Sequence, residues 1–117
     1  MTSELLTRLA DCGCAVQDRL DETFMGNEAL YERLLRRLAT SDAFERMTDA
    51  FSTGDVETLF SASHELKGLY ATLGLTPLFD KCSEIVEVAR SGSLDGIGKM
   101  LSDLRLAHSE FITLIGQ

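Results

Sequence analysis

Apolar residues recur at spacings of three and four along nearly the whole chain, and the alternation typical of half-buried strands is almost absent. A spacing of three and four residues places apolar side chains on one face of an α-helix. Proline, which would interrupt a helix, occurs once, at Pro77. The pattern therefore predicts an all-α fold.

The first long element begins near residue 27 and carries a leucine-rich stripe opposite a charged face. The stripe consists of Leu30, Leu34 and Leu38, with Tyr31 and Leu35 beside it. Asp42, followed three residues later by Glu45, can restart or continue this helix, because the pair has the spacing of a capping box. Further apolar residues extend the element to a stop near Gly54.

Three more long helices follow. Asp55 is placed to cap the second helix, and Gly74 is placed to end it. Thr76 and Pro77 have the pattern of an N-cap and a first turn, so the third helix is predicted over 77–90. The fourth helix is predicted over 97–115, where apolar residues repeat at nearly heptad spacing. The connection between Gly74 and Thr76 is so short that the helices it joins must be antiparallel neighbours.

Two shorter helical segments, 3–10 and 15–24, precede the long helices. We expect them to cap an antiparallel up-down four-helix bundle. At 117 residues the chain is long enough for one core and too short for two domains of usual size. The sequence thus predicts a single domain over 1–117, with capping helices in 1–25 and the bundle in 26–117.

Composition narrows the classes of function. The net charge of -8 disfavours nucleic-acid phosphates and favours a protein partner. No run of about 18 apolar residues is available to span a bilayer. The chain begins MTSELLTRLADCG, with acidic residues early and without the basic and apolar regions of a secretory signal, so we expect a cytoplasmic location.

The three cysteines, Cys12, Cys14 and Cys82, are interpreted as buried or half-buried reduced thiols, because their number and spacing suit neither disulfides nor zinc.

The stretch from Ser63 to Gly74, SHELKGLYATLG, carries the candidate chemistry. On a helical projection the core-facing residues are Val56, Leu59, Ser63, Leu66, Tyr70 and Leu73. His64 lies off this arc, in a band shared with Phe60, Lys67, Gly68 and Ala71. A glycine inside a helix costs about 1 kcal/mol relative to alanine. Gly68 therefore requires an explanation, which is either close packing within the bundle or open access to the imidazole.

An exposed imidazole can act as a neutral nucleophile near neutral pH. Lys67, three residues after His64, lies on the same side of the helix and can place an ammonium beside the group that the imidazole attacks. Phosphoryl transfer requires an in-line nucleophile and a cation that balances the charge of the moving group. The pair fits a phosphoryl carrier, with His64 as nucleophile and Lys67 stabilising phosphoryl charge.

Two other motifs begin with the same letters. A zinc-protease motif H-E-x-x-H would need a second histidine where this chain has Gly68, so a zinc site is excluded. The histidine box of sensor kinases is similar at its start, but Gly68 and Leu69 stand where that box has a polar residue and a proline. The chain also has no room for a nucleotide-binding domain.

The stretch resembles the signature of histidine-containing phosphotransfer (Hpt) domains. The resemblance rests on His64, Lys67, Gly68 and Gly74, with apolar Leu66 and Leu73 between them, and it covers about residues 26 to 92. It implies a phosphocarrier without kinase activity of its own that accepts a phosphoryl group on His64 from a receiver-domain aspartate and passes it to another receiver.

The resemblance also implies the partners and cofactors. These are response-regulator receiver domains and a hybrid sensor histidine kinase, with no cofactor in this chain and Mg²⁺ only in the receiver. We expect a monomer that docks receivers over Phe60, Gly68 and Ala71 around His64. The alternative function is a non-phosphorylated helical adaptor, a pseudo-Hpt module that binds receivers or other proteins.

The chain departs from the family pattern in two places. Val86 stands where many members have glutamine or glutamate near the histidine, and the adjacent Glu87 should point elsewhere, about 100° round the helix. Leu69 and Tyr70 replace the small or hydroxyl residues that are common after the lysine–glycine pair. Tyr70 is interpreted as a core residue whose hydroxyl reaches a partner or water.

His108, on the apolar stripe of the last helix, is interpreted as a satisfied core or boundary histidine. The cluster Arg33, Arg36 and Arg37 is either a solvated face, which we favour, or a docking site.

Overall fold

A computed structural model describes residues 3–115 of the chain. Within this range the chain is helical and contains no strand. The helices are α1 (Ser3–Asp11), α2 (Val16–Glu22), α3 (Glu28–Thr40), α4 (Ala43–Thr53), α5 (Val56–Leu73), α6 (Thr76–Arg90) and α7 (Ile97–Ile115). The predicted domain of 1–117 includes residues 1, 2, 116 and 117, which lie outside the described residues. None of the helices in the described range combines the length and the apolar character that a membrane crossing requires.

Helices α4, α5, α6 and α7 form the bundle, and each packs against its neighbours in the chain, with α7 closing onto α4. Two residues connect α4 to α5 and two connect α5 to α6, so these consecutive helices are antiparallel. The largest fully buried side chains are Tyr31, Tyr70, Leu9, Leu20, Leu38, Met47, Leu59, Leu66, Leu73, Leu75, Ile85 and Ile97. The predicted all-α bundle with short N-terminal helices is confirmed.

The first long element is broken into α3 and α4. Ser41 has an extended backbone, with φ -67° and ψ 140°, which stops α3 and lets α4 restart. Asp42 precedes the first residue of α4, so the prediction that the helix restarts there is confirmed. Its carboxylate makes no capping bond to the backbone and instead accepts a hydrogen bond from Nε of Arg46 at 3.0 Å. The Ser41 hydroxyl oxygen accepts from the Ala43 N–H at 3.2 Å.

The buried face of α3 is rotated relative to the predicted stripe. Tyr31, Leu35 and Leu38 are buried, whereas Leu30 is 37% exposed and Leu34 is half-buried. The rotation follows from Tyr31, because its hydroxyl donates a hydrogen bond to the Leu73 carbonyl and its ring meets Phe24 edge-on. A tyrosine buries more area than a leucine and needs a partner for its hydroxyl, so it determines which face turns inward.

Helix α5 begins and ends as predicted. The Asp55 carboxylate accepts from the Thr58 N–H at 3.1 Å, and Gly74 ends the helix with φ 73°. A Cβ at Gly74 would lie 2.6 Å from the Ala15 carbonyl oxygen, and the Ala15 N–H donates to the Gly74 carbonyl at 2.7 Å. Gly74 is therefore needed for two reasons. It adopts the left-handed conformation of the turn, and it leaves room for α2 to pack against the end of α5.

Helix α6 begins one residue earlier than predicted. Leu75, not Thr76, precedes the first helical residue, and Pro77 lies inside the first turn. Leu75 is fully buried, so its side chain is drawn into the core while Thr76 stays exposed. Hydrophobic burial therefore outweighs the preference of threonine for the capping position.

The cysteines are free thiols in three environments. Cys82 is buried and Cys14 is half-buried, but Cys12 is exposed, so the prediction is wrong for Cys12. Burial, with the neighbouring Cys12 as a second cause, raises the pKa of Cys14 to about 11. Burial likewise raises the pKa of Cys82 to about 12, against an opposing effect of the Lys67 ammonium. Neither Cys14 nor Cys82 has the lowered pKa of a reactive thiol.

Candidate functional site

His64 projects from the middle of α5 and is exposed, whereas the preceding Ser63 is buried. The imidazole stacks on the ring of Phe60, one turn earlier, with ring centroids 5.8 Å apart and an interplanar angle of 12°. Phe60 is half-buried, so it is anchored against the core while presenting its ring to His64. The prediction that His64 lies off the core arc is confirmed, and the stack supports one face of the imidazole.

Lys67 is half-buried and leans toward α6. Its Nζ lies 5.4 Å from the centroid of the Phe79 ring, which is the geometry of a cation–π contact. The same ammonium acts electrostatically on the Cys82 thiol, the next inward-facing residue of α6. The ammonium is therefore held beside the histidine-bearing face of α5, and no carboxylate among residues 3–115 forms an ion pair with it.

Arg90, the last residue of α6, lies near the other end of this face. Its guanidinium carbon is 5.9 Å from the Phe60 ring centroid, and it forms an ion pair with Glu87 at 3.1 Å. Phe60 thus contacts both His64 and Arg90. Glu87 is exposed and pairs with Arg90, and the expectation that it points away from the histidine stays a prediction.

Phe79 and Arg90 were missed by the sequence reasoning. The signal that could have found them is the antiparallel register of α5 and α6. The Cys82 thiol donates to the Ser63 carbonyl at 3.3 Å, and this contact fixes the register. Each step forward along α5 then meets a step back along α6, which brings Phe79 to Lys67 and places the end of α6, with Arg90, on the Phe60 side of Ser63.

Gly68 is exposed, and a Cβ at this position would meet no atom within 4 Å. Close packing therefore does not explain this glycine, and open access remains as its explanation. Ala71 is half-buried further along the same band. The structure thus brings His64 and Phe60 into contact, turns Lys67 toward α6, and leaves the Gly68 side of the helix open.

Val86 is completely buried, so it supplies no polar group to the imidazole. The ring of Phe60 is instead the neighbour that supports His64. Stacking restricts the orientation of an imidazole without occupying either ring nitrogen. No residue in the range 3–115 forms a hydrogen bond with either ring nitrogen of His64, so both nitrogens are available for chemistry.

The second histidine has a different environment. His108 is half-buried, with Nδ1 2.7 Å from the Tyr70 hydroxyl and its ring 5.3 Å from that of Phe44. Burial lowers the pKa of His108. Its interpretation as a satisfied boundary histidine is confirmed. The expectation that the Tyr70 hydroxyl would reach a partner or water is wrong, because α7 carries His108 to it.

A family model of the Hpt domain matches residues 29–113, from the start of α3 almost to the end of α7 and including the whole His64 face. No curated protein and no solved structure matches the chain. Hpt domains are phosphocarriers of phosphorelays that interact with receiver domains and histidine kinases. Since the match covers well over half of the 117 residues, the chain belongs to the Hpt domain family.

Proposed function

We propose that His64 accepts a phosphoryl group from the aspartyl phosphate of one receiver domain and passes it to the aspartate of another. The observation that carries this proposal is the exposed imidazole of His64, stacked on Phe60 and open on the side of Gly68. A bulky partner must bring its aspartate within bonding distance of the nucleophile, and only a histidine free of overhanging side chains allows this approach.

In the transfer step the lone pair of one imidazole nitrogen forms the N–P bond. The bond from phosphorus to the receiver's aspartate oxygen breaks, and its electron pair leaves with the aspartate carboxylate. The phosphorylated ring keeps its remaining N–H proton or releases it to water. The second transfer reverses these steps, with a carboxylate oxygen of the next receiver as the nucleophile.

Lys67 stabilises the charge of the transferred phosphoryl group. Its ammonium is held over Phe79 beside the histidine face, within reach of a group bound to His64 by rotation of the lysine side chain. Mg²⁺ belongs to the aspartate pocket of the receiver, because such hard cations prefer carboxylate and phosphate oxygens, which that pocket supplies. This chain then contributes the nucleophile and one cation.

The receivers dock over Phe60, Gly68 and Ala71 around the imidazole. A carrier must release each partner after transfer, so the interface is small, at or below about 1,200 Å² in total. The chain acts as a monomer in this scheme, receiving its phosphoryl group from a receiver attached to a hybrid sensor histidine kinase.

The substitution His64→Gln tests the proposal. We expect it to abolish acid-labile labelling from a phosphorylated receiver while the helical circular dichroism stays unchanged. His108→Gln is the matched control, since it removes the other histidine of the chain and should leave labelling intact. Labelling retained by the His64→Gln protein would refute the assignment.

A non-phosphorylated adaptor is the second candidate, and the buried Val86 favours it, because α6 offers the imidazole no hydrogen-bonding side chain there. Intact-protein mass spectrometry distinguishes the two functions. A carrier gains the mass of one phosphoryl group when mixed with a phosphorylated receiver and loses it in mild acid. An adaptor binds the receiver without any change in mass.

A further inference from the structure

The side of α5 opposite Lys67 borders an open groove of about 640 Å³. On α5 it is lined by Glu65, Gly68 and Leu69, and across from them by Leu34, Arg37 and Asp42 at the joint between α3 and α4. We call it the Gly68 groove. It exists because the extended backbone at Ser41 interrupts the first long element just where it passes α5.

Both carboxylates of the Gly68 groove are already paired. Arg46, one turn into α4, donates from Nε to Asp42 at 3.0 Å and from its terminal nitrogen to Glu65. The two carboxylates, Glu65 foremost, raise the pKa of Arg46. This arrangement ties α4 to α5 across one end of the groove and compensates its negative charge.

Arg37 is the uncompensated charge of the groove. It is exposed, and its guanidinium forms no ion pair or side-chain hydrogen bond with any residue in the range 3–115. The apolar part of the lining comes from Leu34 and Leu69, both half-buried against the core. The groove therefore presents a free guanidinium next to an apolar surface, on a chain with a net charge of -8.

We propose that the Gly68 groove binds a segment of the receiver that carries an aspartate or glutamate next to an apolar side chain. The carboxylate pairs with Arg37, and the apolar side chain packs on Leu34 and Leu69. This inference rests on the proposed function, because the groove begins at Gly68, one turn from His64, and so continues the surface that a receiver must cover. An unpaired guanidinium in this groove favours a receiver that places a carboxylate opposite it over a receiver that does not.

The test compares Arg37→Gln with Arg36→Gln in a receiver domain transfer assay. Arg36 makes a matched control, since it lies on the same helix, loses the same charge and lines a different cleft, with Ile112 and Ile115. For a receiver that labels the wild type, we expect Arg37→Gln to lower kcat/KM about three- to tenfold with little change in kcat, as for loss of one interface charge pair. Arg36→Gln should leave both constants near the wild-type values. The dependence of kcat/KM on salt concentration should also be weaker for Arg37→Gln than for the wild type, because one charge pair is lost.

Phosphoramidate, a small donor that phosphorylates histidine without a receiver, is used in parallel, and it should label the wild type and both arginine variants equally. If a receiver transfers to the Arg37→Gln protein with the same kcat/KM as to the wild type, this inference is overturned and the proposed function stands. A wild type that no receiver labels would overturn the proposed function and this inference with it. A concentration-dependent dimer that Arg37→Gln dissociates would assign the groove to a second copy of the chain and overturn the receiver assignment.

Discussion

The Tyr70 hydroxyl lies 2.7 Å from Nδ1 of His108 and links the central helix α5 to the last helix α7. The tautomer of the imidazole decides which group donates, because the hydroxyl can donate to a bare nitrogen or accept from a protonated one. Burial favours the neutral form and holds the pKa of His108 below its ordinary value of 6.5. The folded chain therefore disfavours protonation of His108.

Stability should accordingly fall in mild acid through His108. The unfolded chain takes up a proton on this histidine near pH 6.5, whereas the folded chain does so only at lower pH. The His108 contribution is therefore complete above pH 6.5 and is lost as the pH falls toward the folded pKa. We expect the free energy of unfolding in urea to fall more for the wild type than for His108→Gln between about pH 7.5 and about pH 5.5. Equal decreases in the two proteins would contradict this assignment.

Gly74 and Gly54 allow the effect of close packing to be separated from that of backbone strain. Both end a helix with a left-handed conformation, at φ 73° and 74°, but only a Cβ at Gly74 would collide with the Ala15 carbonyl oxygen. Alanine at Gly54 should cost about 1 kcal/mol of strain. Alanine at Gly74 should cost about 1 to 3 kcal/mol more, because α2 must move to make room. Urea unfolding of the two variants measures the difference.

The two glycine variants also test whether α2 is seated on the bundle in solution. A cost at Gly74 no larger than at Gly54 would mean that α2 is not held against the end of α5. Hydrogen exchange of the Ala15 amide, which donates to the Gly74 carbonyl, gives an independent measurement, and we expect Gly74→Ala to accelerate it.

Gly68 should show opposite effects on stability and on transfer. Since a Cβ there meets no atom within 4 Å, Gly68→Ala should raise the free energy of unfolding by about 0.5 to 1 kcal/mol through helix propensity. Gly68→Gln should also fold, but its side chain would fill the open approach to His64 and slow transfer from a receiver. Labelling by phosphoramidate should stay the same for both variants. If Gly68→Gln transfers at the wild-type rate, the access explanation of this glycine is wrong.

Local signals made α5 predictable from the sequence. Asp55 and Gly74 act within a few residues of the helix ends, and the exposure of His64 follows from the helical period alone. The buried face of α3 was mispredicted because Leu30 and Tyr31 have similar apolar character. The hydrogen bond from Tyr31 to the Leu73 carbonyl decides which face is buried, and it joins residues that are distant in sequence. Tertiary contacts override a local pattern in such cases.

The neighbours of the histidine were less predictable than the histidine itself. Phe60 lies on the same helix and could be placed in the His64 band, but its stacking on the ring depends on side-chain rotamers. Arg90 and Phe79 belong to α6, and their positions depend on a register that the Cys82 to Ser63 contact fixes only in the folded bundle. The Tyr70 to His108 bond likewise joins residues 38 positions apart.

The role of Lys67 is tested by removing its charge. Its ammonium lies over the Phe79 ring and has no carboxylate partner among residues 3–115, so its charge is available to a phosphoryl group on His64. A preorganised donor at a buried oxyanion is worth about 10² to 10³ in rate, and a solvated ammonium less. We therefore expect Lys67→Gln to lower the transfer rate at saturating receiver about tenfold. Lys81→Gln removes the same charge from an exposed position of α6 and should have little effect.

The contact with Phe79 gives the second part of this test. Phe79→Leu keeps the ammonium but removes the ring over which it is held, so it should slow transfer less than Lys67→Gln does. A cation–π contact at a partly exposed site is worth about 0.5 to 1 kcal/mol, and the loss in rate should stay within about fivefold. If Lys67→Gln transfers at the wild-type rate, the electrostatic role of Lys67 is refuted. If Phe79→Leu is as slow as Lys67→Gln, the ring contributes more than one cation–π contact explains.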